Sequence, residues 1–143
     1  MIEIRTINNN EIKNLKINNE PFDIIGTINI SRIDNKWSHK INYFDKSNIY
    51  SMTFPNEIYT ESELNNDIFI GAFDGEKCVG LAVLVNSSFK YIYLSDLKVN
   101  NEYRHHQIGS KLIAKCKEIA NEKGYRGIYT ICQDNNVGAF FSI

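Results

Sequence analysis

The stretch "YLSDLKVNNEYRHHQIGSKLIAKCKEIANEKG", residues 93–124, changes its hydrophobic period once, and that change limits the folds open to the chain. Up to Val99 it reads as a strand. From Gly109, apolar Leu112, Ile113, Cys116, Ile119 and Ala120 recur at helical spacing while Lys111, Lys115, Glu118 and Glu122 face away, the pattern of an amphipathic helix. Gly124 supplies a C-terminal stop, and "RGIYTIC" beyond it reads as a buried strand. A strand, a helix and a strand in this order require a crossover, which makes the second strand parallel to the first. Between strand and helix lies a polar, basic turn. A helix mouth leaves backbone N–H groups unpaired and carries partial positive charge, so amides over 105–110 aimed at one anion would form a phosphate site. The same residues also suit an ordinary strand-to-helix turn with solvated charges. No Gly-Lys-Ser/Thr follows a glycine-rich loop and no G-x-G-x-x-G occurs, which argues against nucleoside triphosphates and dinucleotides.

The residues upstream read as strands. "IEIRTI" is a short first strand, and Glu11 to Ile17 a weak helical turn. "FDIIGTINISRI" and "KWSHKINYF" flank Asp34 and Asn35, residues suited to a tight hairpin turn; His39 reads as an exposed or edge position. Lys46 to Asn66, with Pro55 inside, reads as a loop with some helix. "DIFIGAF", the turn "DGEK" and "CVGLAVLV" form a second hairpin, joined by "KYIYLSDLKV". A meander therefore precedes the strand–helix–strand unit. The fold class is α/β in composition (α+β), with a mainly antiparallel mixed sheet flanked by helices.

At 143 residues the chain suits one domain, 1–143, with 43% apolar and 23% charged residues. The net charge is −1, with the basic excess in the later half, which suits one small polyanionic ligand and no nucleic-acid surface. No apolar run reaches the roughly 18 residues of a bilayer span and the start lacks a leader pattern, so the expectation is a cytoplasmic protein with no membrane partner. Cys78, Cys116 and Cys132 are odd in number without metal-ligand spacing, and are expected as buried, reduced thiols with no metal.

"LSDLKVNNEYRHHQIGSKLIAKCKEIA" resembles the acetyl-CoA-binding core of the GNAT superfamily of N-acetyltransferases, whose signature is Arg/Gln-x-x-Gly-x-Gly/Ala at the end of a strand. Arg104 and Gly109 take its first and last positions, and Gln107 replaces its middle glycine. "EPFDIIGTI", "YIYLSDLKV" and "CQDNNVGAF" are similar to the streptothricin acetyltransferase branch. The resemblance implies acetyl-CoA as co-substrate and a small-molecule amine as acceptor, either a streptothricin-type antibiotic, as in this branch, or another amine, as for related sequences. It implies that His105, His106, Gln107, Ile108, Gly109 and Ser110 hold the pyrophosphate through their amides, with Arg104 opening the motif and Asn136 ahead of the next helix. The pantetheine arm would run beside Leu97, Lys98 and Val99 like an added strand, with a backbone N–H near Val99 on the thioester oxygen. The two histidine side chains either face solvent or contact phosphate. Asp96 stands where relatives often carry a carboxylate near the acceptor, as a base acting directly or through water, or as a structural carboxylate. Asp23, Glu57, Glu61, Glu63 and Asp67 either attract a cationic substrate or form a solvated face.

Relatives continue past the last strand with Asn-x-x-Ala-x-x-Leu-Tyr and further strands. Asn136 and Ala139 match, Ser142 and Ile143 stand in the last two places, and the chain given stops there. The expectation is a domain shortened at its C-terminus, lacking the usual closing strands and the tyrosine that protonates the departing thiolate. Either a homodimer covers the edge, with residues from about Gln133 to Ile143 at the contact, or the chain is a catalytically impaired acyl-CoA-binding or interaction protein.

Overall fold

The computed structural model describes residues 1–136, apart from Asn14 and Lys16. It divides into two compact units, the first built from Met1–Asn19 and Pro55–Ile131, the second from Glu20–Phe54 and, among the described residues, 132–136.

The first unit holds strands β1 (Ile2–Ile7), β6 (Ile68–Asp74), β7 (Lys77–Val85), β8 (Tyr91–Val99) and β9 (Gly127–Tyr129), with helices α1 (Asn9–Ile12), α2 (Glu61–Asn66) and α3 (Ile108–Glu122). The five strands lie in the order β1-β6-β7-β8-β9. All neighbours are antiparallel except β8 and β9, which run parallel as the crossover requires. Strands β6 and β7 are buried almost throughout because both faces of the sheet are covered. Leu112, Cys116, Ile119 and Ala120 of α3 pack with Ile70, Ala82, Leu84, Ile92 and Leu94 on one face. On the other, Ile7, Phe69, Leu81 and Val83 form a smaller core with Ile12, and Leu15, Ile17, Tyr59 and Leu64 close over it.

Local chemistry sets the boundaries of these elements. The Asn8 side chain accepts from Glu11 N, so α1 starts earlier than the periodicity suggests and spans Asn9–Ile12 in place of the expected Glu11 to Ile17. Thr60 and Glu63 cap α2 reciprocally. Gly124 leaves α3 with φ 85°, and Tyr125 N donates back to the Ala120 carbonyl at 2.9 Å.

The second unit carries β2 (Phe22–Ile24) paired with β5 (Tyr50–Met52), and the hairpin of β3 (Gly26–Ile33) with β4 (Lys36–Tyr43). Asp34 and Asn35 both take positive φ, which a two-residue hairpin turn demands. His39 sits opposite Ile30 and is exposed.

Three further expectations are corrected. The stretch from Lys46 to Asn66 contains a strand, β5, besides its helix. "RGIYTIC" yields only the three residues of β9, and it is half-exposed rather than buried, with Ile131 76% exposed. Its pairing stops where the Thr130 hydroxyl donates to the Leu94 carbonyl at 2.8 Å. Cys78 and Cys116 are buried, but Cys132 is exposed. Among the described residues no helix is long and apolar enough to cross a membrane, and no cluster of His, Cys, Asp and Glu is gathered as for a metal ion. The expected dimer contact and final helix fall on residues that, beyond Asn136, lie outside the described residues.

Candidate active site

Strand β8 organises the site, because its two ends have different neighbours. On one side it pairs with β7 along nearly its whole length, with a register shift at Val83/Leu84. On the other it pairs with β9 only through Tyr91, Ile92 and Tyr93. From Asp96 to Val99 that second edge has no strand partner among the described residues. Antiparallel residues alternate in the direction of their backbone groups. Asn100 N donates to the Val79 carbonyl at 2.9 Å, so the groups of Lys98 turn to β7 and those of Leu97 and Val99 turn to the open edge. Arg104 Nε donates to the Val99 carbonyl at 3.2 Å, which ties the following turn to this edge.

Side chains alternate as well. Leu97 and Val99 pack against the α3 core. Asp96 and Lys98 go to the opposite face.

Beyond Val99 a short turn over Asn101–Tyr103 is fixed by the Tyr103 hydroxyl, which donates to Asp74 Oδ2 at 2.8 Å. His105 and Gln107 then take left-handed backbone, φ 65° and 64°. Such alternation of backbone hand makes successive N–H groups converge, the geometry of an anion-binding concavity. Helix α3 begins at once, its first internal bond running from Lys111 N to the Gln107 carbonyl. Unlike α1 and α2, it has no side-chain cap and no acidic residue in its first turn. The N–H groups of Ile108, Gly109 and Ser110 therefore have no intrahelical acceptor, and the positive end of the longest helix is left for an anion. Ile108 is buried and anchors this end, while His105, His106, Gln107 and Ser110 are exposed. A Cβ on Gly109 would meet nothing within 4 Å. Its value is the open approach it leaves, which a phosphate could use. Gly80 matters differently: a Cβ there would stand 3.2 Å from Leu112 Cδ1 and 3.3 Å from Ile108 Cγ2, so its hydrogen lets α3 lie close on β7.

On the other face, Asp96 belongs to a network. The Tyr59 hydroxyl donates to Asp96 Oδ2 at 3.1 Å, and Lys98 Nζ stands 3.3 Å from the same oxygen. Lys98 Nζ also donates to Glu57 Oε2 at 2.7 Å, and Asn19 Nδ2 donates to the Glu57 carboxylate. Burial pushes the Asp96 carboxyl above the usual carboxylate range; Lys98 pulls it down and Glu57 pushes it up, and burial wins. For Glu57 burial acts in the same upward sense, but the hydrogen bonds from Lys98 and Asn19 outweigh it and its pKa is lowered. Burial and the neighbouring Asp96 charge raise the Tyr59 phenol far above its ordinary value, so it stays a proton donor to Asp96. Lys98, Glu57 and Tyr59 line a cleft of about 370 Å³ with Ile12, Leu15 and Leu64.

From the sequence, Asp96, Lys98 and Glu57 are named for separate roles and Tyr59 is missed; their joining could not be read, because Tyr59 lies 37 residues from Asp96 and Glu57 lies 41 residues from Lys98. Of the other acidic candidates, Glu61 pairs with Lys13, Glu63 caps α2, Asp67 follows that helix and Asp23 lies exposed in the second unit. Asn136 also belongs to the second unit, where its N–H donates to the Gln133 carbonyl at 3.0 Å.

Strand β8 therefore carries an open edge leading to an uncapped helix N-terminus and, on its other face, a half-buried carboxylate. A profile of the acetyltransferase (GNAT) family matches residues 38–141, and the chain belongs to that family. No curated protein matches it. Among solved structures it is similar to a candidate streptothricin acetyltransferase from Bacillus anthracis str. Ames in complex with acetyl coenzyme A. That likeness has 24% identity and a TM-score of 0.85 over 99% of this chain and 80% of that one. It is also similar to a nourseothricin acetyltransferase, at 16% identity and TM-score 0.75 over 99% of this chain and 79% of that one. A GNAT family acetyltransferase from Elizabethkingia anophelis with acetyl-CoA bound shares 17% identity and a TM-score of 0.52 over 57% of this chain and 53% of that one.

Proposed function

We propose that the chain moves an acetyl group from acetyl-CoA to a primary amine of a small molecule, with a streptothricin-type antibiotic as acceptor. The observation that carries this reading is the division of labour on β8: an open edge leading into uncapped amides on one side, and on the opposite face a half-buried carboxylate in contact with Tyr59 and Lys98, which line a cleft. Acetyl-CoA would supply an acetyl group activated as a thioester. The residues present fit it, since Gly109 leaves the approach to the amides clear.

The amides of Ile108, Gly109 and Ser110 would hold the pyrophosphate, and the backbone of Leu97 and Val99 would align the pantetheine arm as an added strand does. The Val99 N–H, turned from β7, is the donor for the acyl oxygen. An acceptor amine with pKa about 10.4 is almost wholly protonated near neutral pH, and removing its proton costs roughly 4 to 5 kcal/mol. Asp96 takes that proton, directly or through water; its desolvated carboxylate is a stronger base than an exposed one. The similarity to streptothricin and nourseothricin acetyltransferases supports the antibiotic as acceptor.

The test is thiol release from acetyl-CoA by the purified chain against streptothricin, polyamines and aminoglycosides, with the product mass recorded. Gain of one acetyl group by streptothricin in preference to the other amines is expected. Binding of acetyl-CoA without turnover on any amine would overturn the catalytic reading and leave an acyl-CoA-binding protein.

A further inference from the structure

We propose that Lys98 is a positioning residue for this transfer: its ammonium group bridges Glu57 and Asp96 and keeps Asp96 an ionised carboxylate beside the cleft. The inference rests on the reading of Asp96 as proton acceptor and adds the residue that makes it usable.

The Lys98 side chain is 11% exposed, and a lysine so enclosed is tolerated only when its charge is met. Here one ammonium meets two carboxylates, at 2.7 Å and 3.3 Å. The three groups are held from separate directions. Asp96 and Lys98 stand two apart on β8 and so share a face. Glu57 is fixed by Asn19, whose Nδ2 donates to its carboxylate and also to the Pro55 carbonyl at 2.7 Å, and whose N–H donates to Asn56 Oδ1 at 2.7 Å. The charged and titratable groups facing Asp96 are Lys98 from its own strand and Glu57 and Tyr59 from the segment packed over it, with Glu63 acting on Tyr59.

A base must be free of its proton when the acceptor arrives. An aspartate with a 14% exposed side chain, bonded only to a neutral phenol, would tend to keep its proton. A cation within about 4 Å offsets that tendency, by one to three pKa units in general. Both Tyr59 and Lys98 contact Oδ2, so Oδ1 is the oxygen not used in either contact. Glu57 serves as the second anchor that keeps the ammonium in place rather than as the acceptor's only attractor.

The experiment follows the Asp96 carboxyl-carbon NMR resonance against pH, assigned by its loss in Asp96→Asn, alongside the pH profile of kcat. Lys98→Met keeps the length of the stem and should raise the Asp96 midpoint by about one unit or more. The acid limb of kcat should rise with it, and turnover should fall several-fold more near pH 6 than near pH 9, with KM for acetyl-CoA little changed. Lys98→Arg should restore most of the wild-type midpoint. Glu57→Gln removes a negative charge but keeps a side-chain oxygen to accept from the Lys98 ammonium, so it should move the midpoint the other way, which keeps the proposal testable should Lys98→Met fold poorly. Opposite shifts in the two variants would support the proposal, since packing damage has no reason to change sign. An unmoved midpoint in both would overturn it. A moved midpoint with an unmoved acid limb would overturn the role in transfer. Absence of any acetyl transfer by the wild type would instead sink the proposed function, while the titration would still report whether Lys98 sets the charge of Asp96.

Discussion

At the scale of single residues, the turn before α3 holds two non-glycine residues in left-handed backbone, and each such residue costs about 1 to 2 kcal/mol. Gln107 is the one that stands where the family signature has glycine. Its side chain is exposed and makes no cap. Gln107→Gly is therefore expected to raise the melting temperature, by the equivalent of about 1 kcal/mol, because only the backbone penalty is lost. An unchanged or lower melting temperature would show that the left-handed turn is not a strained one. Gly109 gives the complementary test. Space for a Cβ is open there, so Gly109→Glu should leave the fold intact. The added negative charge at the helix mouth should weaken acetyl-CoA binding by about tenfold or more in calorimetric titration. An unchanged dissociation constant would remove the amides of this turn from the cofactor site.

Elements set where these residues stand. At Gly80 the side chains of α3 lie close on β7, and Gly80→Val would drive methyl groups into Leu112 and Ile108. The expected cost is about 1 to 3 kcal/mol in denaturant unfolding. Acetyl-CoA affinity should fall as well, because the first turn of α3 moves with Ile108. Stability and affinity that both stay at wild-type levels would refute this. The same scale explains what could be read in advance. Helix α3 and the β6–β8 meander were legible because their hydrophobic period is long and uninterrupted, and parallel β9 followed from connection rules alone. Strand β5 was not legible. Its three residues show no alternation, and what makes them a strand is pairing with Phe22–Ile24, far back in the chain. The stop of β9 after Tyr129 depends on a side-chain bond from Thr130 to β8, which no local pattern announces. Asp96 became a candidate only through the family resemblance of its strand, whereas Glu57 and Tyr59 sit in a segment without periodicity and come together with Lys98 and Asp96 only on folding.

For the molecule as a whole, we propose that the two faces of β8 carry separate tasks, cofactor holding through backbone and α3 amides and proton removal through Asp96. Steady-state thiol release, measured with acetyl-CoA varied at saturating acceptor for the wild type, Gly109→Glu and Asp96→Asn, tests that assignment directly. Gly109→Glu should raise KM for acetyl-CoA by about tenfold with kcat within about two-fold. Asp96→Asn should lower kcat by roughly a hundred-fold, with the loss greatest at lower pH where the acceptor amine is most fully protonated, and leave KM for acetyl-CoA unchanged. Such a separation is the result the account predicts. If both substitutions changed the same constant, or if Asp96→Asn kept the wild-type kcat at every pH, the division of tasks between the two faces would be contradicted.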